Sequence, residues 1–332
     1  MLPQAKSTPQ SWQSELRNAV RSEEELANLI GLSAEQLFPG GAVATDFPLL
    51  VPRPYIARMR LGDPKDPLLR QIVPDNRENT AVDGFTEDPL RESEFASEGV
   101  VRKYAGRTLV ITTAACPVHC RYCFRRSFPY AENNAAAAHW DRTIDELEAT
   151  AGTSEVILSG GDPLSLSDAA LSKLLSRIAS IKQVETVRIH TRFPIMIPAR
   201  VTDELTRLLQ DTPLRTVIVL HTNHPQEIDS EVDSACHRLR QCADALLNQS
   251  VLLRGVNADV TTLAALSHRL WRAGVLPYYL HMLDPVNGTA HFDIDDTTGR
   301  KLIDTLRARL PGYLVPRLVR EIPGQLSKTA LI

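Results

Sequence analysis

The stretch TTAACPVHCRYCFRRSF, residues 112–128, carries three of the chain's five cysteines, Cys116, Cys120 and Cys123. It closes the run RTLVITT (107–113), which is short, apolar and β-branched and reads as a buried strand. Three thiols spaced four and then three apart are too many for one disulfide. They are also one short of a closed zinc site, and structural zinc usually takes its ligands as two pairs. A fourth ligand would have to be His119 or the distant Cys236 or Cys242. The last two fall in a helical stretch and read as small buried hydrophobes. An iron–sulfur cluster on three thiolates, with one iron left open, fits the set better.

Outward from this stretch the same arrangement recurs. Short apolar runs at 107–113, 155–161, 185–191, 215–222, 250–255 and 276–281 alternate with amphipathic helical stretches at 139–150, 167–180, 202–211, 229–247, 260–273 and 296–309. Six β-then-α units predict an α/β fold with a parallel sheet and helical crossovers. Reactive residues stand just after the runs: the cysteines, then GGDP, HTRFP, HTNHP, RGVN, HMLDP and REIPG. In α/β barrels the active site is built from the loops at the C-terminal strand ends. The pattern predicts a partial (β/α)6 barrel of TIM type over residues 96–315, with one composite site on its top face. No GxGxxG follows the first strand and no P-loop occurs, which argues against the dinucleotide and P-loop folds.

Residues 1–95 read as a helical and irregular extension wrapped on the barrel. Leu16, Val20, Leu26 and Ile30 recur on one helical face, and Ser22 with Glu25 resembles a capping box. A proline-rich stretch follows. Residues 316–332 form a C-terminal segment.

Composition sets the outer limits. The 332 residues are 43% hydrophobic and 23% charged, ordinary for a globular protein. A net charge of −3 offers no polyanion-binding surface, so no nucleic acid partner is expected. No apolar run approaches the roughly 18 residues of a membrane helix. The opening MLPQAKSTPQSWQ has no apolar signal core. Clustered cysteines without a disulfide framework suit a reducing, cytoplasmic setting.

CxxxCxxC with Tyr122 before the last cysteine resembles the signature of the radical S-adenosylmethionine (SAM) family. The resemblance implies a 4Fe–4S cluster on Cys116, Cys120 and Cys123. SAM would bind the open iron and be cleaved by one electron from a reduced flavodoxin or ferredoxin type donor. Ser159, Gly160, Gly161 and Asp162 resemble the family's glycine-rich SAM segment, although a lone GGD would equally serve as a turn.

A narrower resemblance covers nearly everything from about residue 50 onward. CRYCFRRSF, LSGGDPL, RIHTRFPIMIPAR, HTNHPQEI, NQSVLLRGVN, PYYLHMLDPVNG and GQLSKT stand in the order and spacing of the lysine 2,3-aminomutase family. These enzymes add pyridoxal phosphate to the radical machinery and are isomerases that move an amino group between adjacent carbons. The family's Schiff-base lysine corresponds to Lys328, which read alone would be a solvated tail charge. An acid precedes that lysine by seven positions, and Glu321 stands there in place of the usual Asp. The resemblance places Arg107 and Lys103 near the cofactor phosphate. It places Tyr122, His221, Asn223 and Gln249 against SAM, and Arg125 on the substrate carboxylate. Asp284 and Glu321 would hold the ε-ammonium of L-lysine; read alone they are a turn residue and a surface charge. His190 and His281 are expected to be structural or to support residues that touch the bound groups.

Clostridial-type members bind zinc through cysteines of a C-terminal extension. Here the sequence runs four residues past Lys328, and Asp259 stands where a further zinc cysteine would be, so no zinc is expected. This short form resembles the bacterial enzyme that supplies (R)-β-lysine to elongation factor P through a lysyl-transferring synthetase paralogue. The competing expectations are a free-standing aminomutase making β-lysine as a metabolite, and a non-catalytic iron–sulfur or zinc-binding regulatory protein.

Overall fold

The computed structural model describes residues 11–38, 45, 47–130, 140–150 and 152–331. Ten strands among them form one sheet in sequential order. They are β1 (Ala96–Ser97), β2 (Val100–Tyr104), β3 (Arg107–Thr113), β4 (Glu155–Gly160), β5 (Thr186–Thr191), β6 (Arg215–His221), β7 (Ala245–Val251), β8 (Leu276–His281), β9 (Arg317–Arg320) and β10 (Thr329–Ala330). Pairing is parallel from β3 through β9 and antiparallel at both flanks. Helices Trp140–Ala149, Asp168–Ala179, Asp203–Asp211, Ser230–Arg240, Val260–Arg272 and Asp296–Arg309 cross between successive parallel strands.

The sheet is curled. Lys103 on β2 lies 3.0 Å from Glu321, the residue after β9. In a flat sheet seven strand spacings would separate them by about 34 Å. The curl turns a run of β/α units into a partial barrel and aims every strand end at a common centre.

Strand assignments differ from expectation at β7 and at the flanks of the sheet, where β1, β2, β9 and β10 lie outside the six expected runs. The run at 250–255 is not the strand; β7 is Ala245–Val251, and the preceding helix ends at Arg240 rather than 247. Along β7, Gln249 and Val251 face the barrel interior, whereas Asn248 and Ser250 are buried on the opposite face, toward the helix Val260–Arg272, and donate to the Thr222 carbonyl at 3.1 and 2.6 Å. Buried polar residues on this face hide the strand from an apolar-run reading, while Leu252 and Leu253 are fully buried in the following loop. β9 was not expected. It pairs with β8, so residues 317–320 extend the barrel sheet and the boundary at 315 falls inside one continuous structure.

In the extension, helices Trp12–Arg17 and Glu23–Ile30 are separate, and Val20 leaves the helical face to bridge Val51. Ser22 caps the second helix by accepting from Glu25 N, but the reciprocal bond of a full box is formed instead by Ser33 and Gln36. Leu26, Ile30, Tyr55, Leu68 and Ile72 share one buried cluster with barrel residues Leu158, Val187, Ile189 and Leu220. Burial of each such side chain contributes about 1.5–3 kcal/mol, so the extension is part of the core. No helix among the described residues is long and apolar enough to cross a membrane.

Candidate active site

The curl gathers the strand-end residues around a cavity of about 280 Å³, near the lower end of the small-molecule range. Cys116, Cys120, Tyr122, Cys123 and Arg125 reach it from the loop after β3. Ser159, Gly160, Gly161 and Asp162 reach it from β4, His221 and Asn223 from β6, and Gln249 from β7. Asp284 follows β8, Glu321 and Lys328 flank the β9–β10 connection, and Lys103 and Arg107 come from β2 and β3. Every predicted site residue therefore lines one cavity.

The thiol loop is shaped by its neighbours. Cys123 N donates to the Cys120 carbonyl at 3.0 Å, folding the second half of the motif into a turn. His119 points elsewhere, with Nδ1 2.8 Å from the Pro48 carbonyl and its ring stacked on Phe47. Cys236 and Cys242 are buried in the hydrophobic core. Among the described residues no three His, Cys, Asp or Glu side chains converge on a point suited to a single ion. Burial, followed by the charges of neighbouring acid and thiols, pushes the Cys116 thiol up, and burial pushes Cys123 up to about 11. Ionised thiolates here call for a cationic group to share.

The GG pair is required by close approach of two strand ends. A Cβ on Gly161 would stand 2.4 Å from the Ala115 carbonyl oxygen, and one on Gly160 2.8 Å from that of Thr113. Gly161 N and Asp162 N donate to those same carbonyls, of Thr113 and Ala115, at 2.7 and 2.8 Å. The second loop is thus seated directly on the cysteine loop. The Asp162 carboxylate is committed inward: it accepts from Thr191 Oγ1 and Arg192 N, both at 2.7 Å, and from Leu164 N and Phe193 N, both at 3.0 Å. It ties β4 to β5.

Alternating charges cross the cavity. Glu92, buried on the short helix Glu92–Phe95, makes a two-pronged bond to Arg125, with Nε–Oε2 at 2.6 Å and Nη2–Oε1 at 2.9 Å. Arg125 Nη1 donates to Ser159 Oγ at 2.9 Å. Lys103 Nζ lies 3.3 Å from Glu92 and 3.0 Å from Glu321. Glu321 also pairs with Lys328. Burial works against the charged form of Glu321, yet Lys328 and Lys103 outweigh it and hold its carboxyl well below the usual range. Asp284 has no such direct partner; burial, and then the charge of Glu321, push its carboxyl up to about 7. Lys103 therefore serves the acids, whereas Arg107 stacks over the Tyr104 ring at 4.5 Å.

On the other side, His221 Nε2 and Gln249 Nε2 are 2.5 Å apart. Burial, then Arg192 and Arg125, lower the His221 pKa to about 3, so the ring is neutral. Asn223 is spent on structure, receiving Val251 N at 2.8 Å and donating to Gln71 Oε1 at 3.0 Å. His190 Nε2 and His281 Nε2 are buried without a hydrogen-bond partner. Both rings line the cavity, and burial holds both neutral. Orphaned polar atoms of this kind await a bound group. Sequence reasoning missed Glu92 and Arg192. Glu92 sits in an acidic stretch with no periodicity or motif, and Arg192 is embedded in HTRFP, where only a tertiary partner gives it meaning.

The Radical SAM superfamily matches residues 110–239, from β3 through the helix Ser230–Arg240. The chain is 43% identical to the L-lysine 2,3-aminomutase of Escherichia coli K12, over 97% of this chain and 94% of that one. It is 42% identical to the protein of the same name from Haemophilus influenzae, over 96% and 95%. With the L-lysine 2,3-aminomutase of Clostridium subterminale the identity is 33%, over 97% of this chain and 77% of the longer relative.

Proposed function

Since the chain belongs to the L-lysine 2,3-aminomutase family of radical SAM proteins, we propose that it converts L-α-lysine to β-lysine by radical migration of the amino group. The observation that carries this reading is the common cavity: the three thiols, Lys328, Arg125, Asp284 and Glu321 all line it. Family membership implies a 4Fe–4S cluster and SAM, and Cys116, Cys120 and Cys123 are the residues that would hold the cluster. When bound, these groups would supply the carbon radical that takes hydrogen from the substrate. Lys328 would hold pyridoxal phosphate, which would supply the conjugated system that lets nitrogen move between carbons. The unpartnered His190 and His281 nitrogens and the cation Arg107 suit a polar, anionic cofactor beside that lysine.

The chain's own residues bind and orient. Glu92 holds the Nε and Nη2 edge of Arg125, which leaves Nη1 and Ser159 to meet the substrate carboxylate. Asp284 and Glu321 receive the ε-ammonium at the far end. Leu109, Ile157, Val251 and Leu283 wall the cavity and exclude water, which preserves a radical and its stereochemistry. The resemblance to the short bacterial form is what supports the R enantiomer as product, and the need of radical SAM enzymes for a reductant supports a flavodoxin or ferredoxin type donor. On the sequence resemblance to the short bacterial form alone, the β-lysine is further proposed to serve elongation factor P through its synthetase paralogue. The test is an anaerobic assay with cluster, SAM, pyridoxal phosphate and lysine, followed by chiral analysis of product. Absence of β-lysine with all three groups loaded would sink the reading.

The acid pair carries a signed pH prediction. The Asp284 carboxyl titrates near 7, above its ordinary 3.8. In the ligand-free protein the neutral form is therefore favoured; that stabilisation is full below about 3.8 and lost as pH rises through 7. An ammonium beside Asp284 favours the ionised form. Lysine binding at pH 6 should release a proton, and its Kd should fall from pH 6 to 8. Asp284→Asn should abolish this dependence, read by calorimetry in two buffers of different ionisation heat. It should also lower kcat/KM for lysine at least a hundredfold, since unpairing a buried ion costs about 3–5 kcal/mol at about 1.4 kcal/mol per decade. Wild-type efficiency in this variant would remove lysine as the substrate.

A further inference from the structure

Arg192 stands just after β5, and its side chain lies behind the thiol loop, only 6% exposed. Its backbone is pinned where Arg192 N donates to Asp162 at 2.7 Å. Nη1 lies 2.7 Å from Cys120 Sγ and also bonds the Tyr122 hydroxyl. Nη2 donates to Gln71 Oε1 at 2.9 Å and Glu227 Oε2 at 3.0 Å, with the Tyr55 hydroxyl at 3.5 Å. Glu227 is fully buried, and its other oxygen accepts from Gln71 Nε2, Asn223 N and His224 N at 3.0–3.1 Å. The guanidinium is therefore caged and aimed at one cysteine sulfur. The extension supplies Tyr55 and Gln71, β5 supplies the arginine, and the loop after β6 supplies its counter-charge.

We infer that Arg192 is a positioning residue that sets the reduction potential of the cluster held by Cys116, Cys120 and Cys123, with Glu227 as the opposing control. This rests on the family reading of the thiol loop. An incoming electron, supplied by an external one-electron donor of the flavodoxin or ferredoxin class, adds negative charge to the iron and its sulfurs. A cation hydrogen-bonded to a ligating sulfur stabilises that added charge, and hydrogen bonds to sulfur and net local charge are established levers on cluster potential. Burial leaves the interaction poorly screened by salt. Glu227, bonded to the same guanidinium, offsets part of the effect. A latch that merely joined the extension to the barrel would need neither the sulfur contact nor a signed response.

The test uses the full chain, reconstituted anaerobically with iron and sulfide. The reduced cluster is followed by electron paramagnetic resonance at controlled potentials. Arg192→Gln should lower the reduced-to-oxidised ratio at the wild-type midpoint at least tenfold, a downward shift of about 59 mV for one electron. Glu227→Gln should move the midpoint upward. If Arg192→Gln fails to hold iron, the upward shift in Glu227→Gln decides alone. Unmoved midpoints, or shifts in the same direction, overturn the inference while leaving the cluster assignment intact. A wild-type chain that takes up no four-iron cluster overturns both.

Discussion

Replacing Cys116, Cys120 or Cys123 by alanine is expected to remove the iron and abolish turnover, whereas Cys236→Ala and Cys242→Ala should keep both. The three loop thiols line one cavity, and among the described residues no further cysteine lines it. Burial raises the bare thiols, so their ionisation is driven by the metal they share and binding couples to proton release. Two ligands leave a four-iron cluster half-supported and open to solvent. Cys236 and Cys242 instead belong to the hydrophobic core, where burial pushes them up to about 12 and 11 and keeps them inert. Iron and acid-labile sulfide analysis after anaerobic reconstitution should give about four of each per chain in wild type. Stoichiometric zinc without iron would reverse the assignment.

Lys328→Ala should eliminate covalently held pyridoxal phosphate and all lysine turnover while sparing the cluster. The two sites are built at opposite ends of the strand order. The cysteines follow β3, whereas Lys328 immediately precedes β10. Removing the ammonium deprives Glu321 of one cation, but Lys103 remains 3.0 Å from it, so the cavity floor should keep its charge balance. Loss of a covalent anchor cannot be offset by neighbouring lysine charge, because only a lysine in reach of the cofactor can form the bond. Borohydride trapping with peptide mapping checks this. An adduct on any other lysine would overturn the assignment of Lys328, and iron content equal to wild type would separate the two sites.

Much of this site is local in origin and was legible in the residues alone. The three cysteines of the thiol loop lie within eight residues of one another, so the motif at 116–123 is complete in sequence. The strands β3–β6 and β8 announce themselves because apolar runs with intervening helical periodicity are short-range patterns. So the sequence by itself determined the β/α succession, the thiol site and the strand ends that carry chemistry. Tertiary structure decided what burial does to charge. Glu92 and Arg125 are 33 residues apart, and Arg192 and Cys120 are 72 apart. In a solvated chain these are ordinary surface charges, and only withdrawal from water makes each depend on its partner. β7 and β9 were equally invisible. Asn248 and Ser250 are tolerated in the buried layer between sheet and helix because the Thr222 carbonyl accepts from both, and four residues at 317–320 become a strand only because β8 presents an open edge. Even the need for Gly161 is set by the Ala115 carbonyl on a neighbouring loop. Hydrogen-bond satisfaction, ion pairing and close contact belong to neighbours in space, and those neighbours exist only after the sheet has curled.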